Sequence, residues 1–287
     1  MGSNLGRRTK QSERPGDARP FFFVRFVRFR PSFSCEGALA KPRLRGYENA
    51  LGMASARTLI VIPTYSEREN LEALFTGIRQ HQPDADILVV DDASPDGTAE
   101  RAEELGMHDG RIRVLRRPRR LGIGSAYRDG FRDGLARGYD RFVSMDGDLS
   151  HDPQYLPALI QQTETADVAV GSRYLHGISV VNWGLRRLAL SVGGNRYARF
   201  VTRMPVHDCT SGFQCFRRQV LEGIDFGRVR SNGYGFLVEL KFLAHRAGFQ
   251  LAEVPIIFVE RRHGRSKNSI GTVFSSMWLV STLPFRG

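Results

Sequence analysis

The chain has 287 residues, of which 41% are hydrophobic and 25% charged, enough to bury a full core as one large domain or two small ones. Its net charge of +12 is unevenly spread: residues 1–52 hold eleven Lys/Arg against four Asp/Glu, and the rest of the chain is only mildly basic. That distribution argues against nucleic-acid binding by the folded part and suits anionic ligands such as phosphates and diphosphates.

Three cysteines, Cys35, Cys209 and Cys215, offer neither a disulfide framework nor a zinc spacing. Cys209 and Cys215 are expected to be buried small apolar residues in a reducing compartment. No stretch reaches about 18 uninterrupted apolar residues, so no transmembrane helix is expected. Residues 1–52, rich in Arg, Gly, Pro and Ser, read as a disordered basic extension. The folded part is expected over 53–269, followed by an apolar segment, 270–287, suited to a membrane interface.

From Arg57 the hydrophobic pattern alternates between strand and helix. Thr58–Ile62 is an apolar, β-branched run typical of a buried parallel strand. The loop 63–70 follows, then Leu71, Leu74, Phe75 and Ile78 at helical spacing. Ile87–Val90 makes a second strand, ending at the acidic turn 91–98. A helix over 99–105 and a strand over 111–115 come next. Leu121-Gly122-Ile123-Gly124 has too few glycines for a dinucleotide fingerprint and reads as a tight, phosphate-accommodating entry into a helix over 126–136. Arg141–Met145 is the fourth strand. The order β-α-β-α-β-α-β predicts a mostly parallel sheet with helices on both faces.

Beyond this half, the pattern predicts a helix over 154–164 and a strand over 167–171. A long helix over 183–203 carries Arg186, Arg187, Arg196, Arg199 and Arg203, with Leu188, Val192 and Phe200 expected to face the body. A polar turn at 207–213, a short strand, a helix over 233–247 and a strand over 250–259 complete the chain, with a basic loop at 260–267.

Asp146-Gly147-Asp148 stands at the carboxyl end of the fourth strand, where ligands bind in open α/β sheets. Paired carboxylates suit a hard divalent cation that bridges to substrate phosphates, although Asp-Gly is equally a common turn. The loops 63–70, 91–98 and 146–153 each follow a strand and should converge on one edge. Arginines recur after the later elements, and guanidinium groups bind phosphate bidentately and stay charged.

On these residues the sequence resembles the GT-A family 2 glycosyltransferases, and within them the dolichol-phosphate (polyprenol-phosphate) mannosyltransferases. The matching stretches are 62–71, 90–98, 121–127, Met145–His151, Gly171–Tyr174, Thr210–Phe213, Glu253–Ile256 and Phe258–Arg261, with Gly264 and Ser266-Lys267. They cover nearly all of 57–270 in the right order. The resemblance implies a nucleotide-binding amino-terminal half and an acceptor-binding carboxyl-terminal half. It implies that Pro63, Tyr65, Glu67 and Asp91 or Asp92, with Asp96 in the same loop, line the guanine-nucleotide pocket. Asp146 and Asp148 would hold Mg²⁺ or Mn²⁺ on the donor diphosphate. Arg173, Arg187 and Arg261 would bind donor and acceptor phosphates, with Lys267 assisting, and Glu239 would retain half of a family Gln-x-Glu pair in which Leu237 replaces the Gln.

The implied reaction is inverting, metal-dependent transfer of mannose from GDP-mannose to dolichyl or polyprenyl phosphate. The implied partners are those two substrates and a membrane surface, reached peripherally on its cytosolic face or through an anchored partner, with no nucleic acid. A family 2 enzyme using a UDP-sugar, such as a polyprenyl-phosphate glucosyltransferase, and a non-catalytic polyprenyl-phosphate-binding subunit stay open as alternatives.

Overall fold

The computed structural model describes residues 56–181, 183–224, 229, 231, 233, 235–259 and 278–285. The extension 1–52 and the loop carrying Arg261 and Lys267 lie outside these residues.

The first half alternates as its hydrophobic pattern requires. In order come β1 (Thr58–Thr64), α1 (Leu71–His81), β2 (Asp86–Asp91), α2 (Thr98–His108), β3 (Ile112–Arg116), α3 (Ile123–Ala136) and β4 (Arg141–Ser144). The second half is α4 (Leu156–Gln162), β5 (Val168–Ser172), β6 (Val180–Val181), α5 (Leu185–Thr202), β7 (Gln214–Arg217), α6 (Arg218–Gly223), α7 (Gly235–Arg246), β8 (Leu251–Pro255) and β9 (Phe258–Val259). The main sheet runs β3-β2-β1-β4-β7-β5-β8, and β6 pairs with β9 in a small second sheet. Among the described strands of the main sheet, β7 alone is antiparallel, wedged between β4 and β5. The expected mostly parallel α/β sheet is therefore present, and β1, β2, β4 and β5 all end at the same edge.

Side chains alternate across each strand, so one sequence feeds two cores. Leu59 and Val61 of β1 pack with Tyr127 and Phe131 of α3 and with Phe236 and Leu240 of α7. Ile60 and Ile62 pack on the other face with Leu71, Leu74 and Ile78 of α1 and with Leu156 and Leu159 of α4. Helix α3 sits unusually close to the sheet. A Cβ on Gly130 would collide with Val61 Cγ1 and lie 3.2 Å from Val90 Cγ2. Cys209 and Cys215 are both buried free thiols, as expected, and burial pushes their pKa values up to about 11 and about 12.

Three expectations need correction. Strand β1 continues through Pro63 to Thr64, because its pairing with β4 ends at Val61 and the missing proline N–H is not needed there. The strand expected over 250–259 is two pieces, β8 and β9, which join different sheets. Phe200 does not face the body: it is 83% exposed, and the buried residues of α5 are Asn195, Ala198 and Thr202. Hydrophobicity alone misassigned the helix face, because small and polar residues make the close contact. In the C-terminal segment, residues 278–282 are helical, and Val280 and Leu283 join the core while Phe285 is exposed. No helix among the described residues is long and apolar enough to cross a membrane.

Candidate active site

The three loops that follow β1, β2 and β4 are bonded into one edge. Thr64 Oγ1 donates to Asp91 Oδ1 at 3.0 Å, Ser66 N to Ser94 Oγ at 3.0 Å, and Glu67 N to Thr98 Oγ1 at 3.0 Å. A Cβ on Gly147 would lie 3.4 Å from Thr64 Cγ2 and 3.6 Å from Glu67 Cγ, so the third loop rests on the first. Each loop contains one non-glycine residue with positive φ: Ser66 at 60°, Ala93 at 58° and Leu149 at 61°. Left-handed backbone at such residues costs free energy, and its concentration at one edge is typical of a functional site.

The carboxylates there divide into two groups. Asp92 is internal: Oδ1 accepts from Arg117 Nη1 at 2.9 Å and Leu121 N at 2.8 Å, and Oδ2 from Gly122 N at 2.7 Å. In the turn expected to accommodate a phosphate, the N–H groups of Leu121 and Gly122 thus already hold an anion, the side chain of Asp92. Asp91 Oδ1 accepts from Thr64 and Ser94 hydroxyls, and Oδ2 from Ser94 N at 2.9 Å. Asp96 Oδ1 caps Thr98 at the start of α2, and Oδ2 accepts from Arg68 N at 3.3 Å. Pro63 is buried at the end of β1, and Tyr65 lies beside it under Arg120, whose guanidinium carbon is 4.0 Å from the ring centroid. Glu67 accepts from Asn70 Nδ2 at 2.8 Å.

Asp146 and Asp148 form the second group. Asp146 Oδ1 accepts from Tyr127 OH at 3.1 Å, and Asp148 Oδ1 accepts from Ser150 N at 3.1 Å. Among the described residues no cluster of three or more His, Cys, Asp or Glu side chains surrounds them. Asp146 and Asp148 offer hard carboxylate oxygens, the donor chemistry that suits Mg²⁺ or Mn²⁺. The donor set fits such an ion.

An aromatic chain runs from this acidic loop to the arginines. Asp146 N donates to His151 Nδ1 at 3.0 Å. The His151 ring stacks on Phe213 at 4.9 Å and meets Phe258 edge-on at 6.0 Å. Phe258 in turn meets Trp183 edge-on at 5.6 Å. Arg173, directly after β5, lies over Tyr174, Trp183 and Phe258, with centroid distances of 5.4, 5.7 and 5.5 Å. Arg187 lies 4.2 Å over the same Trp183 ring.

Arg173 is held from below. Its Nε and Nη2 donate to Asp208 Oδ2 and Oδ1 at 2.6 and 2.7 Å, and Nη2 also reaches Thr210 Oγ1 at 2.8 Å. Asp208 is fully buried. Burial alone would raise its carboxyl, but the charge and hydrogen bonds of Arg173 outweigh this and hold it below the usual carboxylate range. Lys241 of α7, also fully buried, donates to the Ser211 carbonyl at 2.9 Å, and burial pushes its ammonium down to about 8 although Asp208 partly supports the charge. Glu253 accepts from Asp208 N at 2.9 Å. Glu239 accepts from Ser231 N and Oγ at 3.2 and 2.7 Å and so ties Ser231 to α7.

Sequence reasoning missed Asp208, Lys241, Trp183 and the role of His151. Asp208 meets a partner 35 positions away, and a lysine inside an apolar helix gives no local sign of its counter-charge.

Comparison with known proteins agrees with this layout. The family model for glycosyl transferase family 2 matches residues 59–225. Polyprenol monophosphomannose synthase of Mycolicibacterium smegmatis is 44% identical over 244 residues, 84% of this chain and 92% of that protein. Undecaprenyl-phosphate mannosyltransferase of Micrococcus luteus is 44% identical over 217 residues, 76% of this chain and 89% of that protein. A crystal structure of glucosyl-3-phosphoglycerate synthase from Mycobacterium tuberculosis, in complex with Mn²⁺, uridine diphosphate and glucosyl-3-phosphoglycerate, superposes with a TM-score of 0.57 at 21% identity, covering 80% of each chain. That likeness bears on the fold, and it bears out the expected GT-A architecture. The chain is a glycosyltransferase and belongs to glycosyl transferase family 2.

Proposed function

We propose that this enzyme transfers a mannosyl group from GDP-mannose to a polyprenyl or dolichyl phosphate, with inversion at the anomeric carbon. The observation that carries the proposal is the 44% identity, over most of both chains, to two proteins named for polyprenol-phosphate mannosyl transfer. Pro63, Tyr65 and Glu67, with Asp91 and Asp96 shaping the neighbouring loop, take the guanine nucleotide. Asp92 acts from behind, by fixing the turn into α3.

Asp146 and Asp148 hold the Mg²⁺ or Mn²⁺ ion, which when bound offsets charge on the departing nucleoside diphosphate. The acceptor is a phosphate monoester with a second pKa of about 6, so it is largely dianionic at neutral pH and needs no strong base to attack. What it needs is positive charge beside an anionic donor. Arg173 and Arg187 supply that charge, and Arg261 and Lys267 are assigned to the same task. A site built this way has no requirement for a titrating histidine or glutamate as base.

An isoprenoid tail calls for contact with a membrane, and in this reading the enzyme works peripherally on its cytosolic face. The outward side of α5 supports this, since it exposes Leu185, Leu190 and Phe200 among arginines. Residues 1–52 are assigned as an extension outside the catalytic domain of 53–269.

The test is transfer from labelled GDP-mannose to polyprenyl phosphate, with and without Mn²⁺ or Mg²⁺, and with UDP-glucose as rival donor. Metal-dependent formation of a mannosyl lipid is expected, and Asp148→Asn should lower it by about a hundredfold or more. Preference for UDP-glucose, or binding without transfer from any donor, would refute the assignment.

A further inference from the structure

We infer that Trp183 is a positioning residue that sets Arg173 and Arg187 together as one cationic pair for the acceptor phosphate; this rests on the function proposed above. The two arginines come from different elements. Arg173 follows β5, and Arg187 lies in the first turn of α5. Arg173 has Asp208 as its counter-charge, whereas Arg187 sits in the first turn of a helix, where the positive end of the helix dipole disfavours a cation. Helix α5 does nothing to relieve this by itself: its first turn has no acidic residue, and Gly184 provides no side-chain cap.

Trp183 stands immediately before that turn and meets both guanidinium groups. The centroid distances, 4.2 Å for Arg187 and 5.7 Å for Arg173, are within the range in which an indole face attracts a cation. Phe258 braces the ring edge-on, and through His151 the same chain of rings reaches the backbone of Asp146. Asp208 occupies the Nε/Nη2 edge of Arg173. Asp208 fixes Arg173, and Trp183, in contact with both guanidinium groups, sets Arg187 beside it. The indole Nε1 is buried and has no hydrogen-bond partner among the described residues, so the ring is held by its faces and edges rather than by its polar atom.

The test uses the purified full-length chain and its Trp183→Phe and Trp183→Leu variants. In Trp183→Leu, the ratio kcat/KM for polyprenyl phosphate should fall on the order of tenfold, as loss of two cation–π contacts implies, with KM for the donor unchanged. Trp183→Phe, which keeps a ring of weaker quadrupole, should recover much of the loss. A second readout uses Trp278→Phe, which leaves Trp183 as the remaining tryptophan of the two in the chain. Its fluorescence should respond to polyprenyl phosphate and not to the unphosphorylated polyprenol. An unchanged acceptor constant in Trp183→Leu, equal damage to donor and acceptor constants, or a fluorescence signal indifferent to the phosphate would overturn the inference. If the wild-type chain transfers no sugar, the proposed function fails, and the fluorescence titration still decides the role of Trp183.

Discussion

The backbone N–H of Asp146 donates to Nδ1 of His151, 3.0 Å away, and this bond fastens the acidic loop to the ring system that carries the arginines. The bond fixes the tautomer as well. With Nδ1 accepting, the ring's N–H is the one on Nε2.

His151→Phe should keep the stack on Phe213 but leave the Asp146 N–H without its acceptor. An unsatisfied donor costs about 1–3 kcal/mol when buried, and this part-buried one falls toward the lower end. Since Asp146 moves with that N–H, we expect kcat to fall by about tenfold or more while the chain stays folded. Steady-state kinetics beside a thermal melt would check this; a variant with full turnover would show that the bond is dispensable.

Asp208→Asn should be more damaging. It strands the charge of Arg173 and weakens the support for Lys241, both deeply buried. Breaking one partner of a buried pair costs about 3–5 kcal/mol. Urea unfolding should report a loss of that order, and residual protein should transfer poorly because Arg173 is no longer held.

Lys241 predicts a pH dependence of stability. Burial lowers its folded pKa from 10.5 to about 8. Between those values the unfolded chain binds more protons than the folded one, so stability rises with pH through that window. The penalty for burying the charged form is fully present below the folded value and is relieved above the unfolded one. Comparing urea midpoints of the wild type and Lys241→Met across pH 7.5 to about 10.5 should isolate this rise, on the order of 3 kcal/mol at most, from the opposing titration of buried thiols. Identical pH profiles for the two proteins would refute the assignment.

Gly130→Ala tests the packing of α3. Alanine normally favours a helix, yet here its methyl group would strike Val61 on a central strand. Overpacking should outweigh propensity and destabilise the fold by about 1–3 kcal/mol, read as a lower urea midpoint. Because α3 also carries Tyr127, which bonds Asp146 at 3.1 Å, some loss of turnover should accompany it.

Much of the molecule follows from local pattern. Apolar, β-branched runs define β1, β2, β4 and β5, and helical spacing defines α1, because both signals lie within a few residues of one another. Asp146-Gly147-Asp148 at a strand end was legible for the same reason. The antiparallel insertion of β7 was not, since its partners, β4 and β5, both precede it and the choice between them is a matter of packing. Likewise, the exposed position of Phe200 depends on Asn195, Ala198 and Thr202 making the tight contact.

The same division runs through the site. Sequence alone predicted that three strand-ending loops, with Asp146 and Asp148 in the third, meet at one sheet edge, because which loop follows which strand is a local property. Tertiary structure decided what each charge is free to do. Asp92 is consumed by Arg117 and the turn into α3, Arg173 is fixed by Asp208 from 35 positions away, and Trp183 gathers Arg173 and Arg187. A charge in the chain has only a sign; its task is set by the partners that burial forces on it, and those partners are chosen by the fold.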